Sequence, residues 1–457
     1  MDAVHTENKM GVMSEGKLLF QMSLPMIISM LVLALYNVVD SIFVSQINEN
    51  ALTAVSLAFP IQNLMISIAT GTAVGVNALA SRSLGEKHPE QASHIARHGI
   101  FLAIISAIGF ALIMLVATKP FMAVQSSNEE IYEYGVTYLS IVCTVCIGLF
   151  LQTMFERLLT ATGRTYFSMI SQASGAVINI IFDPIFIFGY GPFPEMGVAG
   201  AAIATVMGQI IGAALALFFN IAFNRDLSIN MLKFRPKKHT ILTIYKIGVP
   251  SIIMASVGSV MTFGMNLILI NRLESSTAAA VFGIYFKLNS LICMPIFGLN
   301  NGMVPIIAYN YGAQKKHRIT RTAKLAVVTA TCLMILGILL FWLIPDKLLL
   351  LFNASENMLS IGVHALRIIS ISFIFAGYCI VIGSVMQALG DAIYSMINSL
   401  ARQLFVLLPA AYILACIGGL DLIWWSYPIA EISSLILTTV FFVRVYRRKI
   451  RTLPDLA

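Results

Sequence analysis

Asp40 and Asp183 each lie inside an apolar stretch long enough to cross a bilayer, and their chemistry has to be explained first. An ionisable side chain at membrane depth costs roughly 3 kcal/mol or more, so it marks an ion or proton path by default. Asn179 precedes Asp183 by one helical turn in Val-Ile-Asn-Ile-Ile-Phe-Asp-Pro, which puts the amide and the carboxyl on one face. Pro184 follows directly. It has no N–H for the carbonyl of Ile180 and its ring disturbs that turn, so a kink with a free carbonyl beside the two side chains is expected. Such oxygen groups suit a hard cation, or a carboxyl that exchanges a proton. The plainer alternative is a Pro-kinked helix whose Asp only caps the break. Asp40 shares a face with Tyr36 and Asn37, and Pro25 upstream is expected to bend the same helix. Here the plainer alternative is an Asp that snorkels to the interface, since Asn48, Glu49 and Asn50 follow closely.

The elements that must hold these groups follow from composition. With 58% hydrophobic and 11% charged residues and a mean hydropathy of +0.86, the chain is a polytopic membrane protein; soluble domains carry roughly 25% charge. The polar start, Met-Asp-Ala-Val-His-Thr-Glu-Asn-Lys, has no short apolar core behind it, so no signal peptide is expected. Spans of about 20 apolar residues centre near residues 31, 66, 106, 145, 177, 209, 257, 293, 331, 374, 405 and 434. Twelve spans place both termini on one side. Of the 29 Lys and Arg, all but Lys119, Arg272, Lys287, Lys347, Arg367 and Arg402 fall in the termini or in the even-numbered loops. By the positive-inside rule both termini are cytoplasmic, in a multi-pass protein of the cell membrane. The net charge of +8 thus reports topology, and no nucleic-acid partner is expected. The scattered cysteines read as apolar filler, and His94 with His98 offers too few ligands for a metal.

The long basic loop at 223–246 divides the chain into two repeats: a six-helix bundle over 1–222 and a second over 247–457 that ends in a basic tail. At a spacing of 227, Ala161 falls on Ala388, Gly163 on Gly390, and Ser168-Met169-Ile170 on Ser395-Met396-Ile397. Gly75 and Gly85 fall on Gly302 and Gly312, while Pro25 meets Pro250 at a spacing of 225. Six spans precede each repeat, so the copies share one orientation and are related by an axis along the membrane normal. The fold class is all-α: two pseudo-symmetric six-helix bundles. Asp183 falls on Ala410 and Asp40 on or near Met265. The scaffold is duplicated and the acids are not, which suggests that one half handles a cation while both supply walls.

Pro25, Asp40, the segment Asn179-x-x-x-Asp183-Pro184 and Gly163 ahead of the fifth span together resemble multidrug and toxic compound extrusion (MATE) transporters of the DinF-like and MepA-like branch. The likeness covers nearly the whole chain, with residues 179–189 its most specific piece. Weaker support comes from Trp425-Ser426, Ala430-Glu431 and Pro305-Ile306-Ile307-Ala308-Tyr309-Asn310. The resemblance implies a V-shaped pair of bundles that exports organic cations by sodium or proton antiport. It also implies a cation site, sodium included, at Asp40, Asn179, Asp183 and Thr205, with a backbone carbonyl near Ala201. Members of the NorM branch carry acids on their seventh and tenth helices, and those are missing here.

Met261 and Met265, with Tyr36, Asn37 and Lys287, are the expected substrate-cavity residues, because methionine adapts to varied apolar faces and aromatic rings hold cations. Lys287 has a structural or lipid-facing alternative, and Arg402 with Glu431 reads as a structural ion pair. Glu156 and Arg157 are expected near the inner gate. The resulting expectation is a secondary active exporter of lipophilic cations and other amphipathic compounds, a monomer among membrane lipids, needing no cofactor beyond its coupling ion. A flippase for lipid-linked oligosaccharides is the alternative. No Gly-rich phosphate loop is visible, and the histidines fall in loops or near helix ends, so an enzyme is not expected.

Overall fold

The computed structural model describes residues 8–232, 234–352 and 354–454; the outermost residues of the two expected bundles, 1–7 and 455–457, lie outside them. The described residues form helices and no strands, as lipid requires of a chain whose backbone polar groups must be satisfied within each span. Ten helices are long and apolar enough to cross a membrane, and two bent pairs bring the spans among the described residues to twelve.

A short helix, α1 (Lys9–Val12), precedes α2 (Glu15–Ser45), which carries Tyr36, Asn37 and Asp40. The first repeat continues with α3 (Glu49–Gly85), α4 (Pro89–Gln125), α5 (Glu129–Thr144), α6 (Ile147–Ala161), α7 (Thr165–Phe188) and α8 (Val198–Phe223). After a non-helical link the second repeat holds α9 (Lys238–Leu267), α10 (Ser276–Gly312), α11 (Lys316–Leu343), α12 (Pro345–Leu350), α13 (Glu356–Ser370), α14 (Phe373–Ala388), α15 (Ala392–Leu400), α16 (Leu408–Ile423) and α17 (Ser426–Val445). Side chains start several of these helices: Asn48 Oδ1 accepts from the N–H of Ala51 at 2.7 Å and opens α3, and Asn128 does the same for α5.

The repeat is visible in backbone detail. The bent spans are α5/α6, at 46°, and α13/α14, at 50°, with breaks at Val145 and at Ser372, one repeat apart. Gly163 and Gly390 both take positive φ, 85° and 82°, and Lys87 and Gln314 do so at 61° and 59°. At the end of the molecule that carries the basic loops, the halves cross with a pseudo-two-fold pattern. A Cβ on Gly85 would overlap the carbonyl oxygen of Tyr309, and one on Gly312 would overlap that of Arg82. Likewise Gly71 lies against Ile252 and Gly298 against Ile27. Small residues at these positions let backbones touch, the usual device for packing helices in lipid.

The buried apolar side chains form one large core per bundle, and the cores exchange their first turns. Leu18, Leu19 and Met22 of α2 pack into the core of the second bundle, whereas Ile244 of α9 packs into that of the first. The segment before α2 also spans both halves. Asn8 Nδ2 donates to the carbonyl of Thr162 (3.2 Å), while Asn310 Nδ2 donates to that of Met10 (2.9 Å) and Arg318 to that of Met13 (2.5 Å). The basic end is therefore closed by backbone contacts and by a strap.

Candidate functional site

Three helices of the first bundle bring the acids together: α2 with Tyr36 and Asp40, α7 with Asn179 and Asp183, and α8 with Thr205. Gly175 and Gly208 let α7 and α8 approach closely, since a Cβ on either would press on the carbonyl of the other. That approach puts Asn179 Nδ2 at 3.2 Å from Thr205 Oγ1, to which it donates. The Tyr36 hydroxyl is also in hydrogen-bonding reach of Thr205. The carboxyl groups of Asp40 and Asp183, 143 residues apart in sequence, lie within hydrogen-bonding reach of each other.

Asp183 is 0% exposed, Asn179 2%, Thr205 5% and Asp40 8%. With both carboxyls ionised, Asp183 Oδ1 and Oδ2, Asp40 Oδ1 and Asn179 Oδ1 accept no hydrogen bond, and a proton on either carboxyl would be shared between the two acids. Buried oxygens are almost always paired, and each unpaired one costs about 1–3 kcal/mol. Two facing carboxyls cannot both stay ionised without a positive charge between them. The donor set is all oxygen, which fits a proton or a hard monovalent cation and offers no sulfur or imidazole to a soft one. Among the described residues no cluster of His, Cys, Asp and Glu fits a multi-ligand metal centre.

The prolines act here as missing donors. Both α2 and α7 run through Pro25 and Pro184 as continuous helices. Pro184 therefore withholds an N–H from the turn that carries Asp183, which leaves that turn short of a donor.

Two neighbours had no signal in local sequence. Tyr138 of α5 lies near Asp40, Tyr36 and Asp183, and its hydroxyl accepts from Gln62 Nε2 of α3 at 3.0 Å. A second polar group lies on α6 and α7: Gln152 Nε2 donates to Glu156 Oε1 (3.0 Å), and Ser171 Oγ donates to the carbonyl of Gly212 (2.8 Å). Ser29 of α2 hydrogen-bonds Gln172 of α7. Arg157 Nη1 donates to Asn301 Oδ1 of α10 (2.8 Å), which ties the two bundles together.

The residues expected to line a substrate cavity are placed differently from one another. Tyr36 joins the acids, whereas Asn37 is exposed on the neighbouring face of α2. Met261 and Met265 point into the core of the second bundle, 8% and 0% exposed, with Met261 Sδ 4.0 Å from the Tyr427 hydroxyl. Burying these apolar side chains in the bundle core is favourable by about 25 cal/mol per Å² removed from water. Lys287 is exposed, with its ammonium 5.9 Å above the ring of Phe352 and not among the groups around Asp40. The anticipated pair is present, Arg402 Nη1 to Glu431 Oε1 at 2.5 Å.

Comparison with known proteins agrees with this architecture. The MatE family model matches residues 25–185 and 250–413, once in each repeat. The multidrug export protein MepA of Staphylococcus haemolyticus (strain JCSC1435) is 28% identical over 419 residues, covering 91% of this chain and 90% of that protein. MepA of Staphylococcus aureus (strain MSSA476) is 26% identical over 442 residues, covering 95% and 94%. Among solved structures, an outward-facing multidrug-resistance MATE transporter of the MOP superfamily superposes with a TM-score of 0.91 at 23% identity, covering 99% of both chains. A MATE protein in complex with MaL6 gives 0.90 at 23% identity, covering 98% and 99%. At that identity the likeness speaks for the fold. Because the family model takes in both repeats and most of the chain, this multi-pass membrane protein belongs to the MATE family of multidrug-efflux transporters.

Proposed function

We propose that this protein exports lipophilic organic cations and other amphipathic small molecules by antiport against an inward-moving cation, a proton or sodium, with the coupling site at Asp40, Asn179, Asp183 and Thr205. The observation that carries this reading is the facing pair of buried carboxyls with unpartnered oxygens. Asp183 is the deeper acid and holds the ion with Asn179. Asp40 lies on α2, whose first turns pack in the opposite core, so it links occupancy of the site to the relation between the halves. A cation that neutralises Asp40 removes its attraction for a cationic substrate, and that exclusion is reciprocal by linkage. Each charge moving down a 100 mV potential supplies about 2.3 kcal/mol, enough for a gradient of roughly fiftyfold without ATP.

In this reading both termini lie on the cytoplasmic side of the cell membrane, as the clustering of Lys and Arg supports, and the strap and the glycine crossing close the inner face. A lipid-linked oligosaccharide flippase would need basic groups presented to a phosphate. Arg402 is held by Glu431 and so is not presented to a phosphate, and Lys287 lies exposed over Phe352 on its own.

The test is gradient-driven efflux in proteoliposomes, with and without sodium. Asp183→Asn keeps size and hydrogen bonding while removing the charge, so the folded protein is expected to lose accumulation entirely. Wild-type accumulation ratios in that variant would refute the assignment.

A further inference from the structure

The two ends of the chain sit on the same turn of the two repeats. In the first repeat that turn is Thr162-Gly163-Arg164, between α6 and α7; its mate is Leu389-Gly390-Asp391, between α14 and α15. Asn8 Nδ2 donates to the carbonyl of Thr162 at 3.2 Å, and Lys449 Nζ donates to that of Leu389 at 2.5 Å. Each turn also carries an ion pair, with the sign reversed: Arg164 on Asp226 at 2.5 Å and Asp391 on Arg448 at 2.6 Å. The glycine leaves room for the occupant, since a Cβ on Gly163 would stand 3.1 Å from Lys9 Cε and one on Gly390 3.8 Å from Lys449 Nζ.

The occupants differ in where they are rooted. Lys449 follows α17 and belongs to the bundle it sits on, with Ile450 buried in the second core. Asn8 sits on the first bundle but is rooted in the second, because Met10, 0% exposed, packs in the second core. The Met10 carbonyl accepts from Asn310 Nδ2 at 2.9 Å and from Arg318 Nη2 at 3.2 Å, and the Gly11 carbonyl accepts from Lys315 Nζ at 2.9 Å. Arg318 also donates to the carbonyl of Met13. The hold on the first bundle is slighter: Asn8 Nδ2 reaches Thr162 and, at 3.5 Å, Asp226 Oδ2. Burial and the nearby Arg164 guanidinium push the Lys9 ammonium below its usual range, so like charge opposes this contact.

A transporter built from two repeats works by rocking one half against the other, so the basic end has to open in each cycle. A segment bonded to both halves must then break on one side. Charge-assisted bonds from Lys315 and Arg318 and the buried Met10 make the second-bundle side the stronger. We infer that residues 8–13 are a latch rooted in the second bundle, which leaves the first bundle at Asn8 whenever the basic end opens, and that Asp226 is its keeper. Asp226 accepts from both Asn8 and Arg164, so it holds the latch and offsets the positive charge facing Lys9. The latch favours the closed basic end. This does not rest on the assignment of Asp40 and Asp183, whose failure would leave it standing.

The experiment uses full-length protein in nanodiscs at neutral pH, with exposed Cys332 and Cys416 replaced by alanine and spin labels at Glu90 and Thr320, exposed on α4 and α11. Pulsed EPR distances between the labels give the ratio of open to closed basic ends. Asn8→Asp keeps the cap that Asn8 Oδ1 makes on the N–H of Met10, but it removes the amide donor and sets an acid against Asp226. It is expected to raise the ratio about tenfold. Adding Asp226→Asn, which returns a donor facing the new acid, should bring the ratio back to within about threefold of wild type. Asp391→Asn, at the mate of Arg164, should leave it within about twofold, because that occupant does not cross between bundles. If Asn8→Asp is recovered poorly folded, Asp226→Asn alone decides, with an expected rise of about threefold. The inference is overturned if neither Asn8→Asp nor Asp226→Asn moves the ratio, if the double variant is as open as Asn8→Asp, or if Asp391→Asn opens the end as far.

Discussion

The two bundles are alike where backbones touch and unlike where charges are buried. Gly85 against Tyr309 and Gly312 against Arg82 are the same contact made twice, and the breaks at Val145 and Ser372 fall one repeat apart. The buried chemistry has diverged: Asp40 and Asp183 of the first bundle face each other with no basic group paired to them, whereas Glu431 of the second is paired with Arg402. Close helix packing tolerates only small residues, so duplication preserves it. A buried charge is costly and must be neutralised locally, so each half could change its solution independently. In the proposed mechanism, symmetric architecture serves the movement of the halves, and asymmetric chemistry makes that movement depend on the coupling ion.

The strongest way to probe the symmetric part is to enlarge its glycines. Gly85→Leu and Gly312→Leu each drive a side chain into the opposing backbone, where no flexible neighbour can yield. Both are expected to reduce efflux by at least about tenfold, and to the same extent, because each prevents closure at the basic end. Spin labels across that end should report a wider separation in both proteins. A large effect from one glycine with none from its mate would break the symmetry argument.

Of intermediate size is the effect of Asp40→Asn, which sharpens the asymmetric side. The wild-type substrate affinity is expected to change about tenfold, ~1.4 kcal/mol, between low and high concentrations of the coupling ion. The Asn variant should flatten that response to under about twofold, with substrate still bound. Fluorescent-substrate titration at a series of pH and sodium values measures it. A wild-type response in Asp40→Asn would place the switch at Asp183 alone.

The smallest expected effect is none. Ala410→Asp, placed at the repeat mate of Asp183, is not expected to restore coupling to Asp183→Asn. Val406 and Ala411 replace Asn179 and Pro184, and the π-helical turn at Ala401–Leu407 changes the register of α16. Recovered accumulation in liposomes would show that the missing partners are dispensable.

The amino-acid sequence alone determined the membrane class, the expected spans, the parallel repeat and the confinement of Asp40 and Asp183 to one half. These were legible because lipid forces every span to satisfy its own backbone, which writes length and hydropathy into contiguous residues. Asn179 with Asp183 was legible for a related reason, since a helical turn relates neighbours in sequence. The convergence of Asp40 with Asp183, and the arrival of Tyr138 and Gln62 beside them, was decided by the tertiary structure. So were the inward burial of Met261 and Met265, the placing of Lys287 over Phe352, and the exchange of first turns between the cores. Those outcomes depend on how each helix is rotated about its axis, and rotation is set by contacts such as Gly175 on Gly208, made between residues far apart in the chain. An apolar span reads alike on every face, so its sequence pattern carries the crossing of the membrane but not the direction in which its few polar side chains look.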